Sequence, residues 1–308
     1  MEDENFFKYT VQITQNFKKY IESLARESSD HLVFYMELAK DSVNLYLKND
    51  ITFLYTIITL KHLTKNSLSE VTLEEHLPKN IFCLDMNDFV DSISLISPNM
   101  DFNLIYDIQL QELKIWQKGK IDSFEEFEFN ITCLETRLTL EELGNELKPI
   151  RMAKHKVHQV TFANAESLRK LLEGFALTKK QYIAMSFRDT RDFLQLETIK
   201  FEGAPSEGHD TKSVINVIDG KVKIDMIDTS TISRVDYSIK YLNIGAKVME
   251  KSQQLVLTVW SDGYLQFNLK LSGCDINYYI PSKNYEFQRE DFEDQMSGVD
   301  QEDDGIFL

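Results

Sequence analysis

The sequence has few cysteines and no long apolar run, and these two absences narrow the classes of protein that it can encode. The three cysteines, Cys83, Cys133 and Cys274, are far apart, and each lies in an apolar stretch. We interpret them as reduced core residues rather than disulfide partners or zinc ligands. No stretch approaches the roughly 20 apolar residues that cross a bilayer, and the first residues lack the layout of a secretory signal. We therefore expect an intracellular globular protein with no membrane partner.

Catalytic motifs are missing as well. There is no phosphate-binding glycine loop and no nucleophile elbow. His155 and His158 are three apart near the start of a predicted strand, which directs them to opposite faces rather than to one metal ion. Glu125, Glu126 and Glu128 could serve a magnesium-dependent nuclease, but no His, Asp or Lys constellation accompanies them. The sequence therefore predicts no enzyme and no cofactor, with a nuclease as the less favoured alternative.

Positive charge is also scarce. The chain has 34 Lys and Arg against 50 Asp and Glu, for a formal net charge of -16. Residues 284–308 hold nine acidic residues and one arginine, so half of the acidic excess lies in this tail. We predict that the tail is a disordered extension. The apolar stretch Gly305–Leu308 within it could be a docking peptide or could have no selected role.

The chain contains an internal repeat at a gapless displacement of 151 residues. The apolar stripe of one predicted helix falls on that of another; its members are Phe17, Tyr20, Ile21 and Leu24, matched by Leu168, Leu171, Leu172 and Phe175. Without a change of displacement, His31–Met36 falls on Tyr182–Phe187 and Leu104–Ile108 on Leu255–Val259. Self-similarity of this kind indicates two copies of one structural unit. Each copy has the pattern strand, helix, strands, second helix, strands, which predicts an α+β fold.

The repeat also sets the predicted domain boundaries. They are residues 1–133 for the first domain, 134–153 for an extended connector, 154–283 for the second domain and 284–308 for the tail. In the first domain, apolar residues from Met86 to Ile96 predict the second helix, which stops near Pro98. Its predicted counterpart is marked by Tyr237, Tyr241, Ile244 and Val248. Asp262-Gly263 predicts a hairpin between Leu255–Trp260 and Tyr264–Leu271.

Several short motifs resemble the sliding-clamp family that includes the eukaryotic proliferating cell nuclear antigen. These are Tyr241-Leu-Asn243 followed by Lys247, Tyr278-Tyr-Ile-Pro281, and the leucine-bearing stretch Leu138–Gly144, which is similar to the family's interdomain connector. The resemblance implies a DNA sliding-clamp fold, with two similar domains that each have β-sheets and two helices. It also implies a non-catalytic subunit of a ring around duplex DNA, bound without sequence preference.

A narrower resemblance points to one clamp type. Asn80–Ile96, and Phe193–Thr198 with the loop Gly203–Gly208, are similar to the Rad-one subunit of the heterotrimeric nine-one-one DNA-damage checkpoint clamp, whereas Glu112–Glu128 matches it poorly. This resemblance implies a nuclear protein. Its implied partners are two other clamp subunits, a clamp loader, and peptide motifs of repair and checkpoint proteins. The alternative within the family is a homotrimeric processivity clamp for a replicative DNA polymerase.

Basic residues on the predicted helices are the candidates for contact with DNA. Lys18 and Lys19 map onto Arg169 and Lys170 at the same displacement of 151, and a repeated basic pair suits a ligand that carries diffuse phosphate charge. The whole predicted DNA-facing set is Lys18, Lys19, Arg26, Arg169, Lys170, Lys240, Lys247 and Lys251, with Lys247 at the family's DNA-facing position. Such cations are also ordinary on solvated amphipathic helices. The second helix of the first domain carries Asp88 and Asp91 instead, which favours weak DNA contact there.

Two further surfaces are expected from the resemblance. Exposed leucines of the connector beside the end of the second domain would form an apolar groove for peptide ligands, or would be ordinary cover for the sheet. The candidates are Leu138, Leu140, Leu143, Ile280 and Pro281. In a head-to-tail ring, unpaired edge strands of neighbouring subunits join, and we expect these edges near Phe124–Cys133 and Thr211–Ile218.

Overall fold

The computed structural model describes most of the chain. The described residues are 6–12, 15–28, 32–39, 41–49, 54–61, 81–97, 101–107, 112–117, 127–132, 134–138, 142–143, 155–178, 180–187, 193–198, 212–216, 221–249, 252–271 and 273–284. They form 18 strands in three sheets, together with four helices. Cys133, Lys251, Leu140 and the acidic tail lie outside them.

The first half and the connector contain nine strands and two helices within the described residues. The strands are β1 (Phe6–Gln12), β2 (Leu32–Leu38), β3 (Ser42–Asn49), β4 (Tyr55–Lys61), β5 (Ile81–Leu84), β6 (Asp101–Asp107), β7 (Glu112–Gln117), β8 (Phe127–Thr132) and β9 (Leu134–Leu138). The helices are α1 (Gln15–Ser28) and α2 (Met86–Leu95).

The second half contains another nine strands and two helices. The strands are β10 (Lys156–Phe162), β11 (Tyr182–Phe187), β12 (Phe193–Thr198), β13 (Lys212–Asn216), β14 (Val222–Ile227), β15 (Arg234–Ser238), β16 (Gln254–Trp260), β17 (Leu265–Lys270) and β18 (Cys274–Ile280). The helices are α3 (Glu166–Ala176) and α4 (Ile239–Met249).

The order of strands within the sheets confirms the repeat. The first half forms the arrangements β1-β6-β7-β8 and β4-β3-β2-β5, and the second half forms β10-β16-β17-β18 and β13-β12-β11-β15. Each strand of one arrangement corresponds to the strand at the same place in the other. The two halves therefore share one topology, and the predicted α+β class is confirmed. The predicted match of Leu104 with Leu255 is wrong, because Leu104 lies opposite Tyr9 and Leu257 lies opposite Val160, which is the counterpart of Tyr9.

The two halves are joined by a direct strand contact. β18 pairs with β4 in antiparallel fashion, with Cys274 opposite Leu60 and Tyr279 opposite Tyr55. This contact creates a ten-stranded sheet in the order β14-β10-β16-β17-β18-β4-β3-β2-β5-β9. β9, the first part of the predicted connector, extends the sheet beside β5. The remaining two sheets end in β8 and β13, which have no further neighbour among the described strands.

The four helices form one row, because α2 packs against α1, α1 against α4, and α4 against α3. Their apolar faces belong to one main core with the helix-facing side chains of the sheets, and this core includes both copies of the predicted stripe. The contact of α4 with the sheet is close: a Cβ atom on Gly245 would lie 2.8 Å from Phe267. Tyr20 of α1 is buried and shares a hydrogen bond of 2.9 Å with Thr56 of β4. The helix row thus crosses the boundary between the halves.

Most local predictions are confirmed. α2 has the predicted extent, and Gly263, with φ of +86°, closes the turn between β16 and β17. The prediction for Tyr237 is wrong: this residue lies in β15 opposite Ile183, and α4 begins at Ile239. The aromatic side chain is fully buried by the strand's alternation rather than by a helical face.

Two of the three cysteines lie in the described part of the chain. Cys83 is a half-buried free thiol and Cys274 a buried one. Among the described residues, no helix has the length and apolar character that crossing a membrane requires.

Candidate nucleic-acid interface

The helix row brings four of the predicted basic residues together around one surface pocket. The pocket lies between α1, α3 and α4, has a volume of about 360 Å³, and is lined by Lys19, Glu22, Ser23, Arg26, Arg169, Glu173 and Lys247. Its four cations face two carboxylates, which leaves a local formal charge of +2 in a chain whose net charge is -16. We call this site the basic pocket. A positive site of this kind attracts polyanions despite the acidic average.

Contacts between α1 and α4 position the cations. Lys247 Nζ donates to Ser23 Oγ at 3.0 Å, across 224 residues of sequence. Lys19 and Arg26 are exposed on α1, and within the described part of the chain neither forms an ion pair. Both side chains therefore retain their donors for a ligand.

The cation from α3 is bound differently, because Arg169 lies inside a network of charged side chains on its own helix. Its Nε and Nη2 donate to the two carboxylate oxygens of Glu166 at 2.9 and 2.7 Å, and its Nη1 donates to Glu173 at 2.6 Å. Lys170 Nζ lies 3.3 Å from Glu166. The hydrogen bond from Arg169 is the main reason that the pKa of Glu166 falls to about 2. We call these four residues the Arg169 network.

The prediction that Lys18 faces DNA is wrong. Its side chain is 5% exposed, and Nζ donates to the backbone oxygens of Ser94 and Ile96, at 2.6 Å each. These carbonyls lie at the C-terminal end of α2, where a helix leaves acceptors unpaired and where a cation is favoured. Burial lowers the pKa of Lys18. Lys18 therefore links α1 to α2 and is not accessible to a ligand.

The other predicted basic residues have different positions. Lys170 is 68% exposed and belongs to the Arg169 network. Lys240 is exposed in the first turn of α4, outside the lining of the basic pocket. Lys251 lies outside the described residues.

The predicted peptide groove requires correction. Leu143 is fully buried among aromatic residues of the sheet, Ile280 is fully buried in the main core, and Pro281 is also buried. None of the three is an exposed lining residue. Leu138 lies opposite Ile81 in the backbone ladder between β9 and β5, and Leu140 is outside the described residues.

Sequence analysis missed a different set of apolar residues on the face of the ten-stranded sheet that turns away from the helices. Ile57, Cys83, Trp260 and Tyr279 are partly buried there, around Leu143. Strand alternation was the available signal: Ile280 and Tyr278 face the main core, so Tyr279 between them must face outward. These side chains pack against the cluster that contains Leu143 of the predicted connector.

His158 has a structural role. Its Nε2 lies 2.7 Å from the Ile232 oxygen and its Nδ1 accepts from the Asp228 amide at 3.3 Å, while its ring stacks on Phe187 with centroids 3.8 Å apart. Burial lowers the pKa of His158, so the neutral ring with a proton on Nε2 satisfies both partners. Among the described residues, no group of His, Cys, Asp or Glu is arranged to hold a metal ion.

Comparisons with known proteins bear on the fold. No protein-family model matches the sequence, and neither does a curated protein. The crystal structure of proliferating cellular nuclear antigen from Entamoeba histolytica matches with a TM-score of 0.62 and 10% identity, over 90% of this chain and 98% of that chain. The PCNA2-PCNA3 complex from Sulfolobus tokodaii gives a TM-score of 0.63 and 14% identity, over 90% and 99%.

This chain has the sliding-clamp fold. At these identities the likeness concerns the fold alone, and it confirms the architecture implied by the motifs around Tyr241, Lys247 and Tyr278. The narrower resemblance to a checkpoint subunit stays a prediction.

Proposed function

We propose that this chain is a non-catalytic subunit of a ring-shaped clamp that encircles duplex DNA. The observation that carries the proposal is the basic pocket, because cations from three helices of both halves converge on the one continuous helix row. A duplex presents phosphates at regular spacing, and diffuse positive charge binds it without reading its sequence. Such contact lets a ring slide while its topology holds it on the duplex.

The strand junction within the chain supports the ring. β18 of the second half pairs with β4 of the first half. By the repeat, β8 corresponds to β18 and β13 corresponds to β4, and both end their sheets. A head-to-tail contact between β8 of one subunit and β13 of the next would repeat the internal junction, and such heterologous contacts close into a ring when the rotation allows. The predicted edges near Phe124–Cys133 and Thr211–Ile218 contain these two strands.

The residues that would lie opposite each other in that contact follow from the strand pairing within each half of the chain. Ile276 of β18 lies opposite Leu269 of β17, as Phe127 of β8 lies opposite Gln117 of β7. Buried residues alternate along both strands: they are Leu265, Phe267 and Leu269 in β17, and Leu113, Ile115 and Gln117 in β7. Leu269 and Gln117 are the last members of these two series. Phe127 therefore corresponds to Ile276.

The correspondence between β13 and β4 follows in the same way. The ladder partners are Met36 with Leu45 and Leu45 with Ile58 in the first half, and Phe187 with Leu194 and Leu194 with Ile215 in the second. Met36 and Phe187 are related by the displacement of 151. Ile215 therefore corresponds to Ile58, which lies opposite Ile276 within the chain. In a contact between two copies of this chain, Phe127 would lie opposite Ile215 and Glu128 opposite Val214.

We assign the chain to a heterotrimeric checkpoint clamp that acts in the nucleus at DNA damage and recruits repair and checkpoint proteins. Besides the motif resemblance, α2 supports this assignment. Asp88 and Asp91 are exposed on α2, and the helix has no basic residue. A ring with other subunits can supply charge that this one lacks. The alternative is the replicative homotrimer.

Cross-linking separates these alternatives. In the isolated chain with Glu128→Cys and Val214→Cys, a homotrimer would form disulfides between neighbours and a covalent trimer. Our assignment predicts a monomer by mass measurement and no covalent trimer. It also predicts that the tagged chain co-purifies from cells with two other clamp-fold chains.

Topology tests the clamp itself. The assembly purified with this chain is loaded on nicked circular DNA by cell extract, and the DNA is then cut once. A ring slides off the ends, so we expect release on linearisation and retention on uncut circles. Retention on both forms would contradict encirclement. Lys19→Gln with Arg26→Gln should reduce retention at moderate salt, whereas Lys270→Gln, on the sheet face away from the helices, should not.

A further inference from the structure

We propose that Glu166 and Glu173 attenuate the DNA-binding surface by holding Arg169 in a network with which a phosphate must compete for this arginine. The inference rests on the proposed function, because it concerns the strength of the same contact with duplex DNA. It assigns an attenuating role to two carboxylates that lie beside the predicted DNA-facing cations.

Glu166 and Glu173 already accept hydrogen bonds from the part of Arg169 that would bind phosphate. A guanidinium binds phosphate best through two parallel N–H groups. In Arg169 the Nε and Nη2 edge is taken by Glu166, and Nη1 is taken by Glu173. The arginine side chain is only 19% exposed. Three of the five N–H groups therefore donate to carboxylates, and a phosphate that binds through the Nε and Nη2 edge has to replace Glu166.

The network persists across the physiological pH range. Because its hydrogen bond from Arg169 lowers the pKa of Glu166 to about 2, this carboxylate stays ionised at neutral pH. The same partners raise the pKa of Arg169. A change of pH within this range therefore does not release the arginine, whereas a competing anion can.

The first half lacks this network, and the sequence repeats it only in part, because Gln15 stands at the position of Glu166. At the displacement of 151, Lys18 and Glu22 correspond to Arg169 and Glu173. Lys18 is bound to carbonyls of α2 instead, and among the described residues Glu22 forms no ion pair. Glu22 nevertheless lines the same basic pocket as Glu173. It is a matched control that removes one negative charge without releasing a cation.

We therefore expect the cations of the helix row to contribute unequally to DNA binding. Lys19 and Arg26 can bind phosphate without displacing a partner, whereas Arg169 has to exchange carboxylate contacts. Lys170 is 68% exposed and has a single contact of 3.3 Å with Glu166, so it keeps donors for a ligand. α1 and α4 should then provide most of the retention, with α3 as a weakly binding segment over which the duplex moves. Each additional phosphate contact steepens the dependence of log affinity on log salt by roughly 0.9.

The test measures the affinity of the clamp assembly for a fluorescent linear duplex from low to moderate salt. Glu166→Gln with Glu173→Gln should tighten binding and steepen the salt slope by about 0.9 for each released cation. Glu22→Gln should give a smaller gain and little change of slope. Adding Arg169→Gln to the double variant should remove most of the gain.

The possible outcomes are distinct. If the unmodified assembly shows no salt-dependent binding, the proposed function itself fails. If it binds but the double variant gains nothing, or gains no more than Glu22→Gln, the attenuation is refuted. A gain that survives Arg169→Gln would show that the carboxylates act only by repulsion of phosphate, and would also overturn the inference.

Discussion

Replacement of Lys18 by methionine should destabilise the protein without weakening its cationic surface. Methionine has a similar length and fills the same space, but it cannot donate to the carbonyls of Ser94 and Ile96, which now accept from Nζ at 2.6 Å each. A hydrogen bond to a charged group contributes about 1.5 to 3 kcal/mol. Since methionine also relieves the cost of burying an ammonium group, we expect a net loss of about 2 to 4 kcal/mol, less than two full contributions.

Urea denaturation followed by circular dichroism measures this loss as a lower midpoint at an unchanged slope. Lys19→Met is the matched control, because Lys19 is the next residue of α1 and is exposed. It should change stability by less than about 0.5 kcal/mol and should weaken DNA retention instead. If Lys18→Met were as stable as the unmodified protein and released DNA as Lys19→Met does, then Lys18 would face the ligand and our account of the α1 to α2 link would be refuted.

Three other predictions follow from buried or tightly packed positions. Burial lowers the pKa of His158, so the folded state resists protonation. The free energy of unfolding should be constant above the unfolded pKa of about 6.5 and should fall as the pH decreases from there towards the lower folded pKa. Denaturation at a series of pH values measures this curve, and His158→Gln should flatten it. Gly245→Ala should cost about 1 to 3 kcal/mol in urea midpoint experiments, because its Cβ would lie 2.8 Å from Phe267. Gly174→Ala should instead gain about 0.5 to 1 kcal/mol by the same measurement, since nothing lies within 4 Å of a Cβ at this exposed helical position; a loss would refute the packing argument.

Much of the architecture could be predicted because the repeat tests each assignment twice. A helical stripe or a strand alternation in one half is ambiguous by itself, and its recurrence at a constant displacement removes the ambiguity. The stripe beginning at Phe17 and its copy at Leu168 are buried in one core, as expected. The prediction for Tyr237 is wrong because a buried strand residue two positions before a helix continues the helical spacing of apolar residues.

The candidate site was less predictable, since equivalent positions have unequal surroundings. Lys18 and Arg169 occupy the same place in their helices, each with a glutamate four residues later. One side chain reaches the end of α2 and the other stays on its own helix. Which partner each side chain binds depends on its distance from the end of the neighbouring helix, and this distance cannot be read from the sequence. The approach of Lys247 to Ser23 is likewise a consequence of the packing of α1 against α4.

The sequence alone could locate β8 and β13, the strands at which two sheets end, but not how their residues correspond to those of β18 and β4. The constant displacement would map Ile58 to residue 209, outside β13, whereas the ladders relate Ile58 to Ile215 and Ile276 to Phe127. The displacement thus becomes 157 at one edge and 149 at the other. Central strands shift as well: the ladders relate Leu45 to Leu194, a displacement of 149, and Leu104 to Leu257, a displacement of 153. A shift of two residues keeps the apolar face of a strand towards the core, whereas a shift of one would turn it away. The largest change, of six residues, is at β13, because the loop before an edge strand can change length without disturbing the core.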